Sequence, residues 1–234
     1  MNGQAVAPPE GQLSYGEILQ LDDLLSSARV HDDDVDSVLF LATHQSCEIY
    51  FAVLLRHLEA VRAALDADDS TLAVRRAAPL PIIVTTLTRQ FDGLATLTPR
   101  AFDAIRTELG TASGFQSAQF REVEYLCGLR DTRFLSTQGF SEEDRARLGA
   151  RLKERSVQEA YADFAVRATD PDAVERVRRA LVDFDEALAM WRARHAVLAE
   201  RFLGGATGTA GSEGAAYLWM AARRRVLPDA WATS

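Results

Sequence analysis

The sequence predicts an all-α protein, and three observations carry that prediction. Apolar residues recur at alternating steps of three and four over two long stretches, the spacing of one helix face. Helix caps and stop residues bracket several shorter segments. No run alternates apolar with polar as a half-buried strand would, and no internal repeat appears.

The first dozen residues, with two prolines and two glycines, read as a flexible arm, 1–12. A single helical-bundle domain, 13–234, is expected behind it. Its first helix runs through LSYGEILQLDDLLSSA. After the acidic HDDDVD, the positions Phe40, His44, Cys47, Phe51, Leu54, Leu58, Val61 and Leu65 define one long helix with a buried face. From Thr71 to Leu94 the chain is apolar, but Pro79 and Pro81 interrupt it, so a kink or two shorter helices are expected. In LTPRAFDAIRTELG, Thr98 is the N-cap, Pro99 the first helical residue and Gly110 the stop. A second short helix follows from Gly114 to Leu126, ended by Gly128.

SEEDRARLGARLKERSVQEAYADFAVRA starts at the cap Ser141, with acidic residues first and basic ones later, and reads as a charged surface helix. Beyond Asp170-Pro171 the second long stripe comprises Val174, Val177, Leu181, Phe184, Leu188, Trp191, His195, Leu198 and Phe202, up to Gly204-Gly205. A glycine-rich loop, GGATGTAGSEG, and a short apolar helix, AAYLWMAARRR, end the expected ordered chain before LPDAWATS.

Composition narrows the function. A net charge of −8 argues against nucleic acid or anionic lipid, which attract clustered Lys and Arg. The partner is expected to be a small molecule. Two cysteines are too few for a disulfide framework, and the N-terminus lacks the layout of a secretion signal, so a reducing cytoplasm is expected. The longest uninterrupted apolar runs fall short of the ~20 residues a spanning helix requires, and no membrane span is expected.

His44 and His195 both lie on apolar helix faces, where an imidazole must find partners for its nitrogens, and a metal is one such partner. Taken alone, each is more often a hydrogen-bonded core residue than a ligand. His44 and Glu48 have the spacing of a helical metal site, yet no second His-and-carboxylate pair answers them. The loop Gly208–Ser212 follows no strand and has no Lys, so it fails as a phosphate cradle; it is a connector or a flap over a ligand. Arg106 follows Phe102 by one turn, which places a guanidinium and an aromatic wall on one helix face, ordinarily a surface arrangement.

Four segments together resemble the tryptophan 2,3-dioxygenase family, in the same order: LSYGEILQLDDLLSS, LFLATHQSCEIYF, LTPRAFDAIRTELGTASGFQSAQFREVEYLCG and RHAVLAERFLGGATGTAGSEGAAYL. The resemblance implies a haem b cofactor with His195 as axial iron ligand, and dioxygen as co-substrate. It implies a tryptophan-like substrate whose indole N–H meets His44, with Phe40 and Phe102 walling the ring. Arg106 would pair with the substrate carboxylate, and Thr209 would bind its amino-acid backbone. Phe91, Ser113 and Gly114 would line the haem pocket. Tyr15 would reach into a neighbouring subunit's pocket, which implies a homotetramer or at least a homodimer.

The sequence departs from the family at Ile18 in place of a tyrosine, Ala210 in place of a glycine and Tyr50 in place of a tryptophan. The segment between Gly128 and the His195 helix is also shorter. These departures bear on substrate and outcome more than on cofactor. Insertion of two oxygen atoms opens the indole to an N-formylkynurenine-type product. A monooxygenase of a substituted indole or aromatic amino acid is the alternative, beside a non-catalytic haem sensor or carrier and a plain helical bundle with two core histidines.

Overall fold

In a computed structural model of the chain, the residues described are 12–28, 34–136, 138–204 and 214–232. Among them there is no strand, as the sequence predicts. Backbone contacts divide the chain into two compact units, Met1–Ala42 and Thr43–Ser234.

In the first unit the expected single helix is two, α1 (Tyr15–Leu19) and α2 (Leu21–Ala28). The break is at Gln20, which takes the left-handed conformation with φ 50°. The first turn of α1 is held by a capping box between Ser14 and Glu17. The leading arm, 1–11, lies outside the described residues.

The long helix α3 (Val35–Asp66) contains the whole predicted stripe. Leu54, Leu58, Val61 and Leu65 are fully buried in the second unit, each burial worth about 1.5–3 kcal/mol. By length and composition alone α3 could cross a membrane, which the count of uninterrupted apolar runs had not suggested. Its face from Phe51 to Leu65 is nonetheless that of a core helix, and Arg62 on the same segment pairs with Glu154 at 3.1 Å.

The proline-interrupted segment forms two helices, α4 (Ser70–Ala77) and α5 (Pro79–Leu94), because Pro79 cannot donate to the preceding turn. α6 (Pro99–Leu109) has the predicted cap, the Ala101 N–H donating to Thr98 Oγ1 at 3.1 Å, and the predicted stop at Gly110, φ 58°. The next expected helix begins as a 3-10 turn, Gly114–Gln116, and restarts at the cap Ser117 as α7 (Ala118–Cys127).

The predicted surface helix after Ser141 is a correction. It is two helices, α8 (Glu142–Arg151) and α9 (Val157–Arg167), because Ser156 opens a second capping box with Glu159. α9 buries Val157, Ala160, Tyr161 and Phe164 and so belongs to the core. α10 (Pro171–Leu203) is the scaffold of the second unit, packing against α4, α5, α11 (Ala215–Arg223) and α12 (Pro228–Trp231). α12 is a further correction, since the ordered chain was expected to stop before it. Asp185, fully buried on α10, accepts N–H bonds from Val226, Leu227 and the Trp231 indole at 3.0–3.1 Å and fastens this segment down.

Candidate functional site

His195 lies on the face of α10 that also buries Leu188, Trp191 and Leu198. Phe91 of α5 stacks on its imidazole with ring centroids 5.3 Å apart and planes inclined by 27°. Trp191, one turn earlier on α10, stands 5.9 Å away. Trp191 is in turn stacked on Phe91 and meets Phe51 of α3 edge-on, and Phe120 of α7 lies 5.0 Å from it. Burial within this aromatic cluster, and then the nearby His44 imidazole, depress the His195 pKa from 6.5 to about 4. The ring is therefore neutral at physiological pH, the form in which imidazole ligates a metal.

Phe91 is fixed from both sides. Its neighbour Gln90 accepts the Ser46 hydroxyl of α3 at 2.7 Å, and its other neighbour, Asp92, receives Arg194 of α10 at 3.0 Å. α3, α5 and α10 are thus tied together around His195, and His44 lies two residues before Ser46 on α3.

The remaining predicted residues are distributed as follows. Phe102, on α6, stacks on Phe202 of α10 with centroids 4.5 Å apart and planes 13° from parallel. Arg106, one turn further along α6, is half-buried. Ser113 caps the 3-10 turn, its Oγ accepting the Phe115 N–H while its own N–H donates to Gln116. Gly114 is exposed, and a Cβ built on it would meet no described atom within 4 Å. Phe40 is half-buried on the first-unit part of α3. Tyr15 is exposed at the start of α1, beside Leu13 and Ile18, which are exposed as well. Thr209 and Ala210 lie outside the described residues.

Two residues in the site were visible only as stripe positions in the sequence. Trp191 precedes His195 by four residues and Phe202 follows it by seven, so helical spacing puts both on its face, but spacing alone cannot separate an aromatic that packs the core from one that touches a site. The buried Trp191 Nε1 has no hydrogen-bond partner among the described residues. The His195 imidazole is the type of donor that holds a haem iron, and the Trp191 Nε1 beside it is a buried donor that the described residues leave unused.

The tryptophan 2,3-dioxygenase family profile matches residues 3–175 and 167–234. The break between the two pieces falls at the start of α10. Among curated relatives, the tryptophan 2,3-dioxygenase of Caulobacter vibrioides is 32% identical, over 94% of this chain and 96% of its own. That of a Nocardioides species is 36% identical over 88% of both chains, and that of an Anaeromyxobacter species 34% identical over 94% of both. With the family profile covering nearly the whole sequence, the chain belongs to the tryptophan 2,3-dioxygenase family.

Proposed function

We propose that the chain is a haem-dependent oxygenase that opens the indole ring of L-tryptophan or a close derivative, giving an N-formylkynurenine-type product. The observation that carries this reading is His195 on α10, packed against Phe91 and Trp191, in a chain that belongs to the tryptophan 2,3-dioxygenase family. In this reading His195 holds the iron of a haem b, and Phe91, Ser113 and Gly114 line its pocket. The haem supplies dioxygen activation when bound.

The chain's own residues bind and orient the substrate. The Arg106 guanidinium would take the α-carboxylate through two parallel charge-assisted hydrogen bonds. Phe40 and Phe102 would wall the indole, and a ring nitrogen of His44 would accept its N–H. Thr209 would bind the amino-acid end. Such positioning converts binding into rate by removing orientational freedom before the reaction. The relatives' names favour insertion of two oxygen atoms over one. The test is product mass after incubation of haem-loaded protein with tryptophan, a reductant and dioxygen. A gain of two oxygen atoms supports the reading; no product, or a gain of one, overturns it.

The reading includes a homotetramer or homodimer in which Tyr15 completes a neighbour's pocket. Its support is the exposed apolar face of α1 and α2, where Leu13, Tyr15, Ile18, Leu24 and Leu25 are uncovered. It also includes a cytoplasmic location free of nucleic acid and membrane, supported by the two free buried thiols, Cys47 and Cys127, and the negative net charge.

A further inference from the structure

We infer that Gln116 is a positioning residue for the haem: its side chain clamps the turn that carries Ser113 and Gly114 to the Gln138–Gly139 segment, and Gly139 is the glycine that permits the clamp. The inference rests on the proposed function, in which Ser113 and Gly114 line the haem pocket.

Between the end of α6 and the start of α7 the backbone makes a 3-10 turn of three residues, in which the Gln116 N–H donates to the Ser113 carbonyl at 2.9 Å and the Ser117 N–H to that of Gly114 at 3.2 Å. A stretch with so few bonds of its own opens locally at small cost unless side chains hold it. The Gln116 amide holds it with both of its polar atoms. Oε1 accepts the Ser113 N–H at 3.1 Å, and Nε2 donates to the Gln138 carbonyl at 2.9 Å and to the Thr111 carbonyl at 3.4 Å. One side chain thus ties three backbone groups together, one of them 22 residues away in sequence.

Gly139 makes that longest tie possible. Its φ is 95°, which L side chains rarely adopt, and a Cβ built on it would overlap the Gln116 amide, 2.6 Å from Cδ. A side chain at this position therefore pushes Gln116 off its partners. The segment itself is anchored by Phe140, which is buried in a cluster with Tyr125, Phe134 and Leu148. Phe115 of the turn packs on the same cluster, its ring 5.3 Å from Phe134. Phe115 and Gln116 grip the turn from its C-terminal side, and the bond from the Ser113 N–H to Gln116 closes it over Gly114. In the proposed site, opening of this turn is a route of haem escape that Gln116 keeps shut.

The experiment measures how fast haem-loaded protein passes its haem to an excess of apomyoglobin, in the wild type, Gln116→Ala, Gly139→Ala, the double variant and Gly128→Ala. Gln116→Ala and Gly139→Ala should each release haem about tenfold faster, the effect of losing one or two hydrogen bonds from the turn. The double variant should release it no faster than Gln116→Ala, because the atoms nearest to the added methyl group all belong to the Gln116 side chain. Gly128, at the far end of α7, also has a positive φ, 135°, so Gly128→Ala reports what backbone strain alone does. It should lower the thermal midpoint and leave haem release at the wild-type rate. If Gln116→Ala does not fold, Gln116→Met, which keeps the length but neither polar atom, takes its place beside Gly128→Ala. Wild-type release from a folded Gln116 variant, additive effects in the double variant, or equal acceleration by Gly128→Ala would make the clamp structural only and overturn the inference. A wild type that binds no haem would instead overturn the proposed function on which the inference rests.

Discussion

Glu124 of α7 and Arg192 of α10 meet in the interior, Oε1 to Nη2 at 2.6 Å, and the other oxygen of the same carboxylate takes Arg121. All three side chains are buried. Arg192 also donates to the carbonyls of Arg224 and Ala221 at 3.0 and 3.4 Å, so one guanidinium joins α7, α10 and the end of α11 three residues before His195. Arg121 in turn lies 3.9 Å over the ring of Phe134. Two cations share one anion here, and the aromatic face supplies part of the missing negative charge. Replacing Glu124 by Gln leaves both guanidiniums buried against a neutral amide and should cost about 3–5 kcal/mol. Chemical denaturation of the wild type and Glu124→Gln measures this directly, and an unchanged midpoint would show that water reaches the cluster.

His195→Ala should abolish stable haem binding while leaving the fold intact. The imidazole contributes the axial nitrogen, whereas α10 is anchored by Leu181, Phe184 and Leu188, which the substitution does not touch. Circular dichroism checks the fold and a Soret titration checks the haem. Free imidazole added to the variant should restore part of the Soret band by entering the space left beside Phe91. A normal axial-imidazole spectrum in the variant without added imidazole would overturn the ligand assignment.

Most helices were legible because their signals are local. Thr98, Pro99 and Gly110 sit at the ends of α6 and act through bonds to their near neighbours. The stripe on α10 needs only a period of 3.6. What was missed depends on partners far away in sequence. LPDAWATS carries no strong helix signal, yet α12 is docked by Asp185, more than 40 residues earlier. The split between α8 and α9 was within reach, since Ser156 and Glu159 are a capping box in the sequence, but the charged run before it masked the restart. In the proposed site, periodicity placed His195 on an apolar helix face, but its role as a haem ligand and the place of Phe91 in the pocket are implied only by the family resemblance. The stacking of Phe102 on Phe202 could not be read at all, because a stripe position does not say which helix it faces.

The alkaline limb of stability should reflect buried phenols. Tyr125 is buried and donates its hydroxyl to the Asp131 carbonyl at 2.7 Å, and burial is the main cause that lifts its pKa from 10 to about 12. The folded state therefore keeps a proton that the unfolded state releases. The contribution is complete below pH 10 and is lost as pH rises from 10 to about 12. Tyr125→Phe should be less stable than wild type at pH 7 by about 1 kcal/mol, the worth of the hydrogen bond. Above pH 10 its thermal midpoint should decline less steeply than that of wild type. Parallel declines would mean that other groups, such as the buried Cys127 thiol, account for the alkaline loss.

Arg106 separates an amino-acid oxygenase from a haem protein that binds indoles indiscriminately. Its side chain is half-buried on α6, one turn after Phe102. Partial exposure screens an ion pair, so Arg106→Leu should weaken tryptophan binding by about 2 kcal/mol, the low end for a desolvated charge pair and roughly 30-fold in affinity. Arg106→Lys should recover only part of this, because an ammonium cannot reproduce the two parallel bonds of a guanidinium. Indole itself, which has no carboxylate, should bind wild type and Arg106→Leu alike. Haem content should be the same in all three proteins, since the guanidinium addresses the substrate and not the iron. The measurement is a set of spectral titrations with tryptophan and indole. Equal tryptophan affinity in wild type and Arg106→Leu would remove the carboxylate clamp from the proposed site. A parallel loss for indole would show that the leucine disturbs the wall at Phe102, and the deficit could then no longer be assigned to charge.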